Sequence, residues 1–251
     1  MITIATPTLS AVFLAAIRIG VVLIFTPIQA IRQLPTSLRF ILVLMLSIFL
    51  VSHLSLTVGD SNETALVAKA LVELANGLIL SLSLYAAFAI FQITGQLIEC
   101  QMGLNALAIF NPSEHSQDPL TSRLLTMFAV LFFFSLDGHH RLIQGLAYSL
   151  TVIPLGKFTL INHFNLLINQ FKLVFIFSWM IASPILIGLG LIELCAAIIT
   201  RNMPQISTYF LALPIKILFG FFLFSLVLNH INPLMEHIFN LCFQTWDEVM
   251  S

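Results

Sequence analysis

Four long stretches of the chain contain no Asp, Glu, Lys or Arg: residues 40–59, 74–98, 173–192 and 217–235. A helix that crosses a bilayer needs about 20 mostly apolar residues. Each stretch therefore predicts a membrane-spanning helix.

Two further apolar stretches carry an interruption. Residues Leu9 to Phe25 are apolar except for Arg18, and no Lys or Arg precedes Leu9, so we expect a retained helix and not a cleaved signal peptide. Leu124–Leu136 and Leu142–Leu155 predict either one helix broken at Asp137-Gly138 or a hairpin inside the protein, because Gly weakens a helix interior. We expect an all-α integral membrane protein with about six apolar helical segments in one domain over residues 1–251.

The connections between these segments are short and rich in turn residues. They are predicted at residues 27–35, 53–64, 105–121, 154–162 and 200–204. Pro184 and Pro214 fall inside or beside predicted spans, where each removes a helix hydrogen bond and favours a kink. Broken backbone at membrane depth is tolerated only when protein or a water-filled cavity covers it. The pattern favours a subunit of a larger channel over a simple anchor.

Composition excludes two broad classes. Hydrophobic residues make up 59% of the chain and charged residues 8%, whereas soluble domains average about 25% charged residues. The formal net charge is -1 and no cluster of Lys and Arg is present, so the chain cannot build the basic surface of a nucleic-acid binder. A water-soluble domain and a nucleic-acid partner are both unfavoured, and membrane lipid is the expected surrounding.

The candidate catalytic motifs fail on inspection. Gly156-Lys157 lacks a Gly four residues upstream and is followed by Phe158, so it is no phosphate-binding loop. His139 and His140 beside Asp137 are adjacent residues and do not share one helix face. Gly-x-Ser-x-Gly is absent, and the three Cys are far apart and are expected to pack as small apolar residues. We therefore expect no enzyme activity, no metal and no cofactor.

A few charges lie within or beside the apolar windows, where each costs roughly 2.5–3.5 kcal/mol at the centre of a span. Arg18 and Glu193 have apolar sequence on both sides and are expected to turn toward protein. Glu99 and Lys216 lie near predicted helix ends, and their charged groups are expected to extend toward the membrane–water interface. Structural pairing is favoured over a proton relay, which would need a chain of such groups. These charges are Arg18, Glu73, Glu99, Glu193 and Lys216.

Four groups of short motifs follow one another along the chain. The first group opens the chain, the second is central, the third contains the Asp-Gly-His turn and the fourth is C-terminal; Pro184 is counted with them. In order, they are Arg18-Ile19-Gly20, Pro27, Pro35 and Arg39; Glu73, Gly77, Gly95-Gln96, Glu99, Gln101-Met102-Gly103 and Pro112; Leu131-Phe132-Phe133 and Asp137-Gly138-His139; Arg201, Pro204-Gln205, Leu213-Pro214-Ile215-Lys216 and Gly220. In this order, the motifs resemble the FliR/SctT family of the type III secretion export apparatus. The Asp-Gly-His-His stretch is more similar to flagellar members than to virulence-associated ones.

The resemblance implies a subunit of the flagellar type III export gate, which forms with FliP and FliQ the pore for unfolded flagellar subunits. It implies FlhB and FlhA as further partners and a place in the bacterial inner membrane at the flagellar basal body. Helices would form kinked hairpins in a helical hetero-oligomeric gate, with residues 1–170 approximately FliP-like and 171–251 FliQ-like. A virulence-type SctT-like subunit and a small-molecule membrane transporter remain the alternatives.

The segment from about Asn105 to Thr121 is the longest polar break in the chain. Extended chain covers about 3.3–3.6 Å per residue, so this segment can cross a channel wide enough for an unfolded polypeptide. In the family, the corresponding region is associated with closing the pore. The resemblance therefore favours a pore plug, with apolar residues that exclude water beside a turn, whereas the residues alone favour an ordinary surface connection. The predicted plug residues are Leu107, Ile109, Phe110, Asn111 and Pro112.

Overall fold

A computed structural model describes residues 6–54, 63–104, 120–157, 160–203 and 208–250. Every regular element within these ranges is a helix, which confirms the all-α prediction. The predicted plug residues and the motif residues Pro204 and Gln205 lie outside the described residues. The helices are α1 (Thr6–Ile24), α2 (Gln29–Arg32), α3 (Thr36–Leu54), α4 (Glu63–Met102), α5 (Leu120–Ser135), α6 (Gly138–Val152), α7 (Leu160–Asn202), α8 (Thr208–His230) and α9 (Asn232–Met250).

Within the part of the chain that the structure describes, four helical segments are long and apolar enough to cross a membrane: Thr36–Leu54, Leu66–Met102, Ile168–Asn202 and Ala212–His230. They overlap the four charge-free windows of the sequence. The α5–α6 pair is also long and apolar enough when the two helices are taken together, as a broken span or a re-entrant loop, and α1 is a shorter apolar helix. The prediction of about six apolar helical segments is confirmed.

The break between α5 and α6 falls at Asp137-Gly138, where the sequence predicted it. The two helices are bent by 70°, which fits both a broken span and a re-entrant loop. Asp137 has φ 55 and ψ 29, a left-handed conformation that Asp tolerates better than most side chains. A Cβ on Gly138 would lie 2.5 Å from the Phe133 ring and 2.7 Å from its carbonyl oxygen. Asp137 makes the break and Gly138 permits the close approach that follows it.

The described residues divide into two compact units. The first contains the described parts of 1–87, 133–171 and 239–251, and its core is built around α1. Ala11, Leu14, Ala15, Ile19 and Val22 are all fully buried. Their spacing of three to four residues places them on one side of the helix. Helix α3 packs against α1.

The second unit contains the described parts of 88–132 and 172–238. Phe91 and Ile98 of α4, Ala129 of α5, and Ile185 and Leu189 of α7 are buried in it at 1% exposure or less. Helices α4 and α7 each contribute residues to both units. These units do not test the division into a FliP-like and a FliQ-like part, which the family resemblance implies and which stays a prediction.

The structure corrects three boundary predictions. Helix α2 lies within the predicted connection 27–35, and α7 extends to Asn202, inside the predicted connection 200–204. The apolar window 217–235 crosses a break at Ile231, where α8 ends and α9 begins. Pro233 stands in the first turn of α9, where its missing N–H costs no helix hydrogen bond. Helix α9 itself was not predicted, because its apolar residues are mixed with polar and charged ones and most of it lies outside the charge-free windows.

Candidate functional site

Arg18 of α1 and Glu73 of α4 form an ion pair with both side chains at 0% exposure. Arg18 Nε donates to Glu73 Oε2 at 2.5 Å. The guanidinium also donates to the Ser149 carbonyl oxygen at 2.7 Å, the Ser149 hydroxyl at 3.0 Å and the Ile153 carbonyl oxygen at 3.3 Å. A buried charge is tolerated when its partner and further hydrogen bonds replace water. The expectation that Arg18 turns toward protein agrees with this arrangement, which connects α1, α4 and α6.

The same carboxylate also holds the turn that follows α6. Gly156 donates its backbone N–H to Glu73 Oε1 at 2.7 Å, and Asn76 Nδ2 donates to the Lys157 carbonyl oxygen at 2.9 Å. Gly156 has φ +87, a backbone conformation that glycine adopts without strain. Gly156-Lys157, which sequence analysis rejected as a phosphate-binding loop, is therefore a turn fixed against α4.

Helices α1 and α4 approach closely at Gly77. A Cβ on Gly77 would lie 2.8 Å from the Arg18 carbonyl oxygen. Gly20, a motif residue of α1, has looser surroundings, since a Cβ there would be 3.4 Å from Val43 Cγ1. Gly77 thus permits the contact between backbones that brings Arg18 and Glu73 together.

In the second unit, the end of α4 is held against the start of α5. Glu99 accepts the Thr121 backbone N–H at 3.0 Å, and the Ser122 hydroxyl donates to the Gln92 carbonyl oxygen at 3.0 Å. A Cβ on Gly95 would lie 2.2 Å from Ser122 Cα. Glu99 is 7% exposed, so the prediction that it extends toward the interface is wrong. Its carboxylate instead satisfies a free N–H in the first turn of α5, where a negative charge also complements the helix dipole.

A third charged group is only partly covered. Lys216 of α8 pairs with Glu193 Oε1 of α7, and Gln101 Nε2 of α4 donates to Glu193 Oε2 at 3.1 Å. The Lys216 side chain is 16% exposed and the Glu193 side chain 49% exposed. Lys216 was expected to extend toward the membrane–water interface, but it also pairs with a residue of another helix. Glu193 turns toward protein as expected, although about half of its side chain stays exposed.

Two motif residues after Gln101 shape the end of α4. Met102 is fully buried, and a Cβ on Gly220 of α8 would lie 2.3 Å from Met102 Cε. Gly103 follows the helix with φ +77, which is the left-handed conformation that commonly ends a helix. The Gln101-Met102-Gly103 motif therefore combines a polar contact, a packing contact and a helix end.

The remaining described motif residues occupy turns and helix positions. Pro27 and Pro35 flank α2, and the Pro35 carbonyl oxygen accepts the Leu38 and Arg39 backbone N–H groups at the start of α3. His139 packs its ring against Phe134, with centroids 5.5 Å apart. Pro184 and Pro214 lie inside α7 and α8, and Arg201 lies in the last turn of α7. Among the described residues, no group of three or more His, Cys, Asp or Glu could hold a metal ion.

Sequence reasoning missed a polar contact in the core of the first unit. Gln170 Nε2 donates to the Ser83 hydroxyl at 2.7 Å, and Cys242 Sγ of α9 donates to the Ser83 carbonyl oxygen at 3.6 Å. Burial raises the pKa of Cys242 to about 12, and the contact of its Sγ with the Ser83 hydroxyl at 3.9 Å opposes that rise. The helical spacing of Phe239, Cys242 and Trp246 was the available signal, since it predicts one buried side of a helix.

The fold and these contacts define an all-helical membrane protein whose buried charges connect its helices. The sequence pattern of the bacterial export proteins, family 1, matches residues 9–242. The chain belongs to that family, as the resemblance of its motifs predicted.

Two flagellar relatives match nearly the whole chain. It is 26% identical over 249 residues to the flagellar biosynthetic protein FliR of Bacillus subtilis, covering 96% of this chain and 95% of that protein. It is 29% identical over 242 residues to the protein of the same name from Aquifex aeolicus, covering 95% and 93%. Similarity to the Yop proteins translocation protein T of Yersinia pestis is 28% identity over 147 residues, covering 57% and 56%.

Proposed function

We propose that the chain is a subunit of the flagellar type III export gate and forms, with FliP and FliQ homologues, the pore for unfolded flagellar subunits. The observation that carries this proposal is the match to flagellar relatives along almost the full length of both chains. The match to the virulence-associated relative covers little more than half of each chain. The flagellar assignment is therefore preferred to a virulence-type SctT-like subunit.

The uneven burial of the spans supports a role inside an assembly. In α4, 67% of the most apolar window is buried, compared with 22% in α3, 22% in α7 and 11% in α8. Helices of this kind expose large apolar side chains that need either lipid or another protein around them. FliP and FliQ homologues would cover part of this surface, and FlhB and FlhA homologues would join the complex in the inner membrane at the basal body.

A passive, non-enzymatic role is part of the proposal. The three charged groups described above connect helices, and each has a hydrogen-bonded partner. A cavity of about 470 Å³ beside Pro184 has an almost wholly apolar lining that includes Met180, Leu223 and His230. A small-molecule transporter needs polar groups that bind its solute near the centre of the membrane, so this cavity gives the transporter alternative no support.

The plug predicted at residues 107–112 is proposed as the closing element of the pore. Its support comes from described residues on either side of the connection. Glu99 and Gly95 before it contact Thr121 and Ser122 after it. Both ends of the connection are thereby fixed at one place, as a segment that closes an opening would require.

Co-expression tests the central proposal. The tagged chain is produced with and without the FliP and FliQ homologues encoded in the same genome, and complex formation is measured by size-exclusion chromatography in mild detergent. We expect a stable complex in the first case and aggregation or degradation in the second. A protease-resistant monomer that binds neither homologue would contradict the proposal.

Deletion of the gene separates the two export systems. Loss of flagellar filaments with intact secretion of virulence proteins supports the flagellar assignment. Intact motility with lost virulence secretion would favour the SctT-like alternative.

A further inference from the structure

Gln101, Glu193 and Lys216 form a polar patch, here called the Glu193 patch, on the surface of the second unit. The three residues come from α4, α7 and α8. Glu193 is the more exposed member of the ion pair, since 49% of its side chain is exposed and only 16% of the Lys216 side chain. The patch therefore presents mainly a carboxylate to its surroundings.

The carboxylate has unused hydrogen-bonding capacity. Each of its oxygens has one described partner, Lys216 on Oε1 and Gln101 on Oε2. An ionised carboxylate can accept about four hydrogen bonds, so roughly half of this capacity is left beyond the two described partners. A partner that fits the patch must bring donors and not further acceptors.

Apolar residues lie one turn from the patch on the same helix sides. Ala197 is exposed four residues after Glu193 on α7, and Phe219 is 38% exposed three residues after Lys216 on α8. Glu193 lies nine residues before Asn202, the end of α7, which is roughly 13 Å along a helix at 1.5 Å per residue. An exposed carboxylate within an apolar surface cannot be left facing lipid without a large desolvation penalty.

We propose that the Glu193 patch is a docking site for a transmembrane helix of another subunit, which brings a hydrogen-bond donor side chain to the free side of the Glu193 carboxylate. The donor is Arg, Lys, Asn, Gln, Ser or Thr, and the surrounding helix surface is apolar. The inference rests on the proposed function, since it assumes membrane partners. Polar groups contribute to helix association in membranes because an unpaired polar group in hydrocarbon is costly.

A double variant separates docking from a contact within the chain. Glu193→Leu combined with Lys216→Met removes both charges together and leaves neither ion without its partner. If the ion pair stabilised only this chain, apolar residues of similar volume would replace it without lowering the yield of complex. We expect the double variant to keep wild-type membrane abundance and protease resistance, while the yield of complex with FliP and FliQ homologues falls about tenfold, the effect of one such hydrogen bond.

Lys172→Gln is the matched control, because Lys172 is an exposed charge of the same helix and unit. This variant is expected to keep the wild-type yield of complex. Equal yields from the double variant and the wild type would overturn the docking site and leave the export-gate function standing. A wild-type chain that forms no complex would instead contradict the proposed function and the inference together.

Photocrosslinking tests the site without removing the charges, and it remains informative if the double variant fails to fold. A photoreactive phenylalanine replaces Ala197, which follows Glu193 by four residues and lies on the same side of α7. The control replaces Leu191, which is 58% exposed on the opposite side. We expect crosslinks to a partner subunit mainly from position 197. Crosslinks to lipid alone there, or a partner yield no higher than from position 191, would overturn the inference.

Discussion

Arg18 and Glu73 form a buried ion pair in which one carboxylate oxygen accepts the Arg18 Nε–H at 2.5 Å and the other accepts the Gly156 backbone N–H at 2.7 Å. Glu73 therefore joins α1 to the turn after α6 through a single side chain. The guanidinium completes the contact with the Ser149 and Ile153 carbonyl oxygens. Removal of either charge would leave the other without water and without a counterion.

Glu73→Gln tests this dependence, because it keeps the shape of the side chain and removes its charge. Loss of one partner of a buried ion pair costs about 3–5 kcal/mol. We expect a lower apparent melting temperature of the purified complex, measured by tryptophan fluorescence. Arg18→Leu is expected to reduce assembly in the same way.

Glu236→Gln is the matched control, since Glu236 is exposed on α9. It is expected to change the free energy of unfolding by no more than about 0.5 kcal/mol. Replacement of both Arg18 and Glu73 by Met should be less harmful than either single loss of charge. A Glu73→Gln complex as stable as the control would contradict this dependence. A variant that assembles fully yet exports nothing would argue for a direct role of the pair in transport.

Gly95→Ala is expected to separate α4 from α5. Its new methyl group would lie 2.2 Å from Ser122 Cα, a backbone atom that cannot rotate away. A methyl group forced into a filled space lowers the free energy of unfolding by about 1–3 kcal/mol or more. The change should be visible as faster proteolysis and a lower melting temperature.

Gly190→Ala provides the opposite expectation on α7. No atom lies within 4 Å of the position of its Cβ, and Ala is favoured over Gly in a helix by about 1 kcal/mol. This variant should be as stable as the wild type or more so. Equal effects of the two substitutions would contradict the close contact at Gly95.

The main helices could be predicted because a membrane span is a property of local composition. Each charge-free window overlaps a helix that is long and apolar enough to cross a membrane. The windows are 40–59, 74–98, 173–192 and 217–235. Helix α9 escaped this test because it buries one side only, with Phe239, Cys242 and Trp246 on that side.

Charged contacts could be predicted only in part. Apolar neighbours on both sides indicated that Arg18 turns inward, but Glu73 lies 55 residues away and its role depends on the packing of α1 against α4. Glu99 was misplaced for a related reason. Its position near a helix end suggested contact with water, whereas the Thr121 N–H that binds it comes from a different helix. No local pattern records which two helix ends meet.

Cys242 is expected to resist alkylation in the folded protein. Burial raises its pKa to about 12 from an ordinary value of 9.0. The reactive thiolate at pH 8 is therefore reduced roughly 10³-fold. A variant with Cys100→Ser and Cys195→Ser leaves Cys242 as the one thiol, and mass spectrometry should find it unmodified by N-ethylmaleimide until the chain is unfolded. Rapid modification of the native complex would show that α9 detaches from the core.

The sign of the pH effect follows from the same shift. The unfolded chain releases the thiol proton at lower pH than the folded one, so this contribution to stability is complete below about pH 9 and declines as the pH approaches 12. Cys242→Ala should remove the decline at high pH, although it also leaves a small cavity. The comparison of melting temperatures between pH 8 and pH 10 isolates the ionisation from the constant loss of packing.

The last prediction concerns the proposed plug, which includes Leu107, Ile109 and Phe110. Deletion of residues 107–115 should leave the complex assembled, because the contacts of Glu99 with Thr121 and of Gly95 with Ser122 lie outside the deleted part. The assembled pore should then leak ions or small dyes, since apolar residues that exclude water are lost from its opening.

A substitution at constant length separates the loss of a seal from the loss of chain length. Replacement of Leu107, Ile109 and Phe110 by Ser keeps the reach of the segment and removes its largest apolar side chains. If water exclusion closes the pore, this variant should leak as the deletion does, and Phe110→Ser alone should account for most of the leak because Phe has the largest apolar surface. If length alone closes it, only the deletion should leak. Dye release from vesicles that contain equal amounts of assembled complex measures the difference. Tight vesicles from both variants would refute the plug, while the assembly itself would still support an export-gate subunit.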